Sequence, residues 1–162
     1  MSEMVLYTIG VYESTEASFF KALADNNIDT FCDIRQRRGV RGRMYSYVNS
    51  TYLQNKLAEL GIKYRYIKDL APTNEIRQMQ KDADKVNHID KKSRAELGIV
   101  FRTEYAKRIL NNFDIDSLVS ELQKDGAKNI VFFCVEKSAM ACHRSIVAAR
   151  IEAKYGYEVK HL

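Results

Sequence analysis

A three-layer α/β domain, with a mostly parallel central sheet of about five strands flanked by helices, is the fold class this sequence predicts. Three observations predict it. Short apolar runs of strand length alternate with segments of helical periodicity along the whole chain. One run, Asn129 to Val135, is almost continuously apolar, as in a strand buried on both faces at a sheet centre. The chain has 162 residues, the usual length of one domain, which predicts a single α/β domain over 1–162. Apolar residues make up 46% against 29% charged, with one proline and seven glycines, a balance that excludes disordered, collagen-like and solenoid chains. No internal repeat is present.

The elements follow in order. Val5 to Ile9 reads as a first strand ending at Gly10. Ser14 is placed to cap a helix with Glu16 in its first turn and Phe19, Phe20 and Leu23 facing inward. Ile28 to Ile34 forms a second strand. Asn49 or Ser50 caps the next helix, striped by Leu53, Leu57 and Leu60 and stopped by Gly61. Ile62, Tyr64 and Tyr66 alternate with Lys63 and Arg65, a half-buried strand. The segment 68–92 is polar and the least patterned; Ile76, Met79, Ala83 and Val86 predict one short helix there. Ser93 and Glu96 form a capping box for a helix running to about Leu110. Asp114 or Asp116 opens another, closed by Gly126. After the central strand a helix runs to Tyr155 and stops at Gly156, and Tyr157 to His161 is a last short strand.

No apolar run approaches the roughly 18 residues of a membrane span, and no basic segment precedes Met4. The expectation is a cytoplasmic protein without a membrane partner. Three cysteines suit a reducing compartment. The charge is unevenly placed. Arg35, Arg37, Arg38, Arg41 and Arg43 lie within nine residues, and without these five the remaining basic residues equal the 21 acidic ones. A neutral body with one basic loop points to a directed anion site.

Ligands of parallel sheets bind beyond the carboxyl ends of the strands, which directs attention to Gly10–Tyr12, Asp33–Arg43 and Cys134–Arg144. In the first cluster, Asp33 and Arg35 precede the arginine loop, and guanidinium forks match phosphate oxygens. Tyr45, Tyr47 and Tyr52 follow, with faces suited to stacking on bases. The plain alternative is a solvated loop whose arginines pair with carboxylates elsewhere. In the second cluster, Cys134 and Glu136 end the central strand, and Cys142, His143, Arg144 and Ser145 open the next helix. There the helix dipole favours anions and thiolates. Cys142 or Cys134 is the candidate nucleophile, with His143 and Glu136 as acid–base candidates. The plain alternatives are core packing for both cysteines and a capping or surface role for His143. Cys32, in mid-strand, reads as core.

Several motifs are excluded. Neither Cys134 nor Cys142 is followed six positions later by arginine (Met140 and Ala148 stand there), so no phosphatase loop is present. There is no CxxC pair, dinucleotide fingerprint or Walker loop, and no cofactor is expected. Cys134, Glu136, Cys142 and His143 have the right chemistry for zinc, but their spacing matches no standard zinc module, so no metal is assigned.

Tyr7-Thr8-Ile9-Gly10, Asp33-Ile34-Arg35, and Leu57 with Gly61-Ile62-Lys63-Tyr64 form a series. Cys134-x-Glu136, Cys142-His143-Arg144 and the terminal Val159-Lys160-His161-Leu162 extend it. Together they resemble the family catalogued as domain of unknown function 488. The resemblance implies a compact α/β domain with its marked residues gathered at one sheet edge, and a role in nucleic-acid or nucleotide processing. Val11-Tyr12 stands where the family commonly has His-Ser, and Ala71-Pro72 where it has two glycines.

Three functions are therefore carried forward. The first is a phosphate-recognising protein that binds or processes nucleic acid or a phosphorylated small molecule. Arg35, Arg144 and Ser145 would hold phosphate, Arg37, Arg38, Arg41 and Arg43 would track a backbone, and Asp33, Gly10, Tyr12 and Tyr45 would border the site. The second is a thiol enzyme. The third is a non-catalytic module docking an acidic partner.

Overall fold

A computed structural model describes residues 3–86, 98–135 and 142–162. Five strands form one sheet: β1 (Val5–Ile9), β2 (Thr30–Asp33), β3 (Lys63–Tyr66), β4 (Asn129–Phe133) and β5 (Glu158–His161). Every pairing is parallel and the order is β3-β2-β4-β1-β5. The helices are α1 (Glu16–Asp25), α2 (Ser50–Glu59), α3 (Asn74–Val86), α4 (Ile99–Arg108), α5 (Ile115–Lys124) and α6 (His143–Tyr155). The expected three-layer α/β architecture is the one observed.

Two cores sandwich the sheet, and the pleat of each strand divides its side chains between them. Tyr7, Ile9, Phe31, Val131 and Phe133 meet Phe19, Phe20 and Leu23 of α1 and Leu53 and Leu57 of α2. Leu6, Cys32, Ile34, Ile130 and Phe132 face the opposite way, against Ile76, Tyr105, Leu118, Val147 and Ile151 from α3–α6. From β1 through β3 the chain moves in one direction across the sheet; from β3 through β5 it returns. β4 is thus flanked by β1 and β2, whose chains leave toward α1 and α2, while its own chain leaves toward α6. The connections thus diverge to opposite faces around its carboxyl end, the position ligands take in open α/β sheets.

Several local expectations are corrected. Thr15, not Ser14, caps α1: its side chain accepts from Ser18 N, and Ser18 Oγ closes the reciprocal bond. Ser14 instead bonds Val11 O and Tyr47 Oη. Leu60 is 41% exposed and lies outside the stripe of α2. The inward face of α3 is Ile76, Gln80 and Asp84, with Val86 exposed. Gln80 accepts from Phe101 N and donates to Asp84, so polar groups bury here because they satisfy one another. The helix expected from Ser93 begins at Ile99; Ser93 and Glu96 lie outside the described residues. The second strand is shorter than 28–34. Asp114 caps α5 through Ser117 N, and Gly156 ends α6 in the left-handed region at φ 73°. Among the described residues no helix is long and apolar enough to cross a membrane.

Candidate functional site

The carboxyl end of β4 holds three loops together. Cys134 N–H donates to Ile9 O, Ile34 N–H to Phe133 O, and both Val11 and Tyr12 N–H to Val135 O. The regions after β1, β2 and β4 therefore converge, as the sheet order requires. The two chief motifs meet directly. His143 Nε2 donates to Ile34 O at 2.8 Å, joining Cys-His-Arg to Asp-Ile-Arg across 109 residues.

Asp33 and Arg35 form a buried fork. Arg35 Nε donates to Asp33 Oδ1 at 2.8 Å and its Nη2 to Oδ2 at 2.7 Å, the bidentate geometry that fixes a guanidinium plane. Arg35 N–H and Tyr64 Oη donate to the same carboxylate. Burial first, and then the Asp33 charge, push the Tyr64 phenol up to about 12, so it stays a donor. The Arg35 guanidinium lies 4.7 Å over the Phe133 ring. Arg35 is only 4% exposed, and its Nη1 is buried with no hydrogen-bond partner among the described residues.

Arg35 borders a cavity of about 500 Å³ at this sheet edge. Arg37, Arg41 and Arg77 also line it, with Tyr12, Tyr45, Asn74, Gly39 and Cys134 completing much of the wall. No carboxylate lines it among the described residues. The Tyr12 and Tyr45 ring centroids are 5.3 Å apart. Asn74 opens α3, so a helix N-terminus also faces the cavity and adds positive potential. A larger depression, about 680 Å³, lies between Arg65, Arg108 and Glu121. Its cations are already answered: Arg65 by Glu121 and Asp125, Arg108 by Glu75 and Glu104.

The remaining expected site residues divide. Arg144 is fully buried, donates from Nη1 to Cys134 O at 3.4 Å, and does not line the cavity. Ser145 Oγ bonds Cys142 O within the first turn of α6. Arg38 lies 4.3 Å over the Tyr66 ring and borders a separate groove beside α2. Arg43 and Gly10 stand outside the cavity wall. Tyr47 is core, not a free stacking face, and Tyr52 Oη donates to Glu16. Glu136 and His88 lie outside the described residues.

Cys134, Cys142 and His143 form a second, buried cluster. They are 7%, 2% and 2% exposed, and their donor atoms all lie within 4.8 Å of one another. Because a carbonyl can only accept, the bond to Ile34 O puts the imidazole proton on Nε2. Nδ1 is turned the other way, 3.5 Å from Cys142 Sγ. The Tyr105 ring packs edge-on against the imidazole, at 5.5 Å. The hydrogen bond with Cys142, and then burial, push the Cys134 thiol well up. Burial raises Cys32 to about 12, as befits a core residue.

Arg77, Asn74 and the cavity they help build escaped sequence reasoning, since they sit in the polar segment after β3 that showed no chemical motif. A cation in the first turn of a helix, where the dipole does not favour it, was the available signal.

One comparison with known proteins returns a match. The model of the family described as Domain of unknown function DUF488 matches residues 16–151, more than half of the chain. No curated protein and no solved structure matches.

Proposed function

Since the chain belongs to the DUF488 family, whose name carries no reaction, its function has to be read from its site, and we propose that the arginine cavity receives a phosphate-type oxyanion, with nucleic acid or a phosphorylated nucleotide as the ligand class. One grouping carries this reading: Arg35, Arg37, Arg41 and Arg77 line one cavity, with no carboxylate among the described residues of its wall. Arg35 Nη1 has no hydrogen-bond partner among the described residues, on a guanidinium whose Nε and Nη2 donate to Asp33. Buried donors left unanswered cost free energy, and an oxyanion in the adjoining cavity would offset the incompletely answered Arg35 charge. Arg37, Arg41 and Arg77 around the same volume would balance a multiply charged ligand. About 500 Å³ lies within the range of small-molecule sites, and the Tyr12–Tyr45 pair offers ring faces for a base. Asp33 acts as a positioning residue. Arg144 has a supporting role at Cys134 O in this reading and does not touch the ligand.

The test is fluorescence anisotropy of a labelled single-stranded oligonucleotide across a salt series. Four phosphate contacts give a log–log slope of roughly −2.8. Competition by inorganic phosphate or a nucleoside diphosphate separates a small-ligand site from a backbone-tracking one. Binding that is independent of salt, or unchanged in the Arg37→Ala/Arg41→Ala variant, overturns the assignment.

The thiol-enzyme alternative has one observation in favour, the 3.5 Å contact between Cys142 Sγ and His143 Nδ1. Burial of both thiols and the upward push on Cys134 weigh against a ready nucleophile. Rapid alkylation of one thiol in the folded protein would restore it.

A further inference from the structure

The buried thiol–imidazole cluster brings together the donor types of a soft-metal site. Two thiols and an imidazole converge from separate elements: Cys134 from the end of β4, Cys142 and His143 from the start of α6. A tetrahedral zinc ion with Zn–S about 2.3 Å and Zn–N about 2.05 Å sets S···N edges near 3.6 Å and an S···S edge near 3.8 Å. The Cys142 Sγ–His143 Nδ1 separation is 3.5 Å, and all donor separations fall within 4.8 Å.

The surroundings match a metal site as well. Metal-ligating histidines hold their second ring N–H on a carboxylate or backbone carbonyl, which fixes the ring and turns the other nitrogen to the ion. Here Nε2 is held by Ile34 O and Nδ1 faces the sulfurs. Cys142 is the N-cap of α6, a helix of 13 residues, where the helix dipole favours a thiolate. Two thiolates neutralise a divalent cation, so the loaded site adds no net charge to a buried place. Soft sulfur donors with one imidazole select zinc over magnesium or calcium. We propose that Cys134 Sγ, Cys142 Sγ and His143 Nδ1 hold a zinc ion. Three protein ligands are the count of zinc sites that keep a fourth position for an exchangeable group. The inference is independent of the anion reading, since its donors are different atoms. Spacing along the chain argued against a zinc module; distance in the fold argues for one.

The test uses the full chain, reduced and stripped by chelator. Cobalt(II) serves as the optical probe, and zinc then displaces it against a chromogenic competitor. The expected result is one equivalent of cobalt, with thiolate charge-transfer absorption and the intense visible bands of tetrahedral coordination. Cys134→Ser, Cys142→Ser and His143→Ala should each weaken zinc by more than about 100-fold, beyond what loss of an outer-shell partner produces. Cys32→Ser should bind as the unaltered chain does. His143→Cys preserves the donor count and should bind cobalt with a stronger sulfur band, which keeps the test valid should His143→Ala fail to fold. The proposal is overturned if the folded, reduced protein takes up no cobalt or zinc. It is equally overturned if uptake is weak and octahedral, or if the Cys134→Ser/Cys142→Ser variant binds as tightly as the unaltered chain.

Discussion

The arginine cavity and the thiol–imidazole cluster share Cys134 yet are built on opposite principles. Arg37 and Arg41 reach the cavity from a loop and stay exposed, while Arg35 is buried and clamped by Asp33. The cluster draws on a strand end and a helix start, is buried apart from the edge Cys134 shows to the cavity, and has its imidazole held by a backbone carbonyl. One region holds a single cation on a carboxylate and leaves Arg37 and Arg41 exposed; the other holds its imidazole on a backbone carbonyl. Under the two proposals, this is the contrast expected between a site for a variable, charged, solvated ligand and a site for one small ion.

The strongest way to break this picture is to remove the clamp. Asp33→Ala leaves Arg35 buried beside an empty place, and the expected cost is about 3–5 kcal/mol of unfolding free energy, read from urea midpoints. A loss below about 1 kcal/mol would mean that Arg35 swings out to water and was never held. Zinc comes next. At free zinc one hundred times its Kd, the folded state gains about 2.7 kcal/mol, so chelation should lower Tm by roughly 5–10 °C. Arg37→Ala/Arg41→Ala should leave that shift intact, and loss of the shift in this variant would show the two regions to be one site.

The same double variant sharpens the comparison from the other side. Its stability should stay within about 0.5 kcal/mol of the unaltered chain, while the salt slope for single strands flattens by about 1.4. The smallest effect is expected at His161, whose Nδ1 pairs with Thr8 Oγ1. Partial burial, and then the nearby Arg144 charge, hold the imidazole below its ordinary 6.5, with Glu152 opposing weakly. The unfolded chain therefore takes up a proton before the folded one does. Stability falls as pH drops below about 6.5 and levels off below the folded value. His161→Asn should flatten that part of the profile in denaturant titrations; an unchanged slope would assign it to another group.

Much of the fold was legible because burial leaves a periodic trace. The unbroken apolar run of β4 marked the sheet centre, and Gly126 and Gly156 marked helix ends through their positive φ. Strand order was not legible. Periodicity records which face a residue buries, not which strand lies beside it, so the meeting of Ile34 with His143 had no sequence signal. The polar face of α3 was misread for a related reason: Gln80 and Asp84 bury by satisfying each other, which hydrophobic patterning does not register. For the site, Arg35 and the Cys-His-Arg run stood out by composition. Arg77 of the proposed cavity did not, and no periodicity in the sequence marked Arg144 as buried against Cys134 O.

The sheet order also has a consequence in time. β1 pairs only with β4 and β5, both of which lie beyond residue 128. A chain emerging from its N-terminus carries Val5–Ile9 as an unpaired apolar strand through most of its synthesis, while β2 and β3 can already zip together. Long-range parallel pairing of this kind folds slowly, and open strand edges invite wrong partners meanwhile. The insertion of β4 closes the gap and in the same event brings Cys134 to its neighbours. Any ligand captured at that junction would act as a late clasp on the newborn chain.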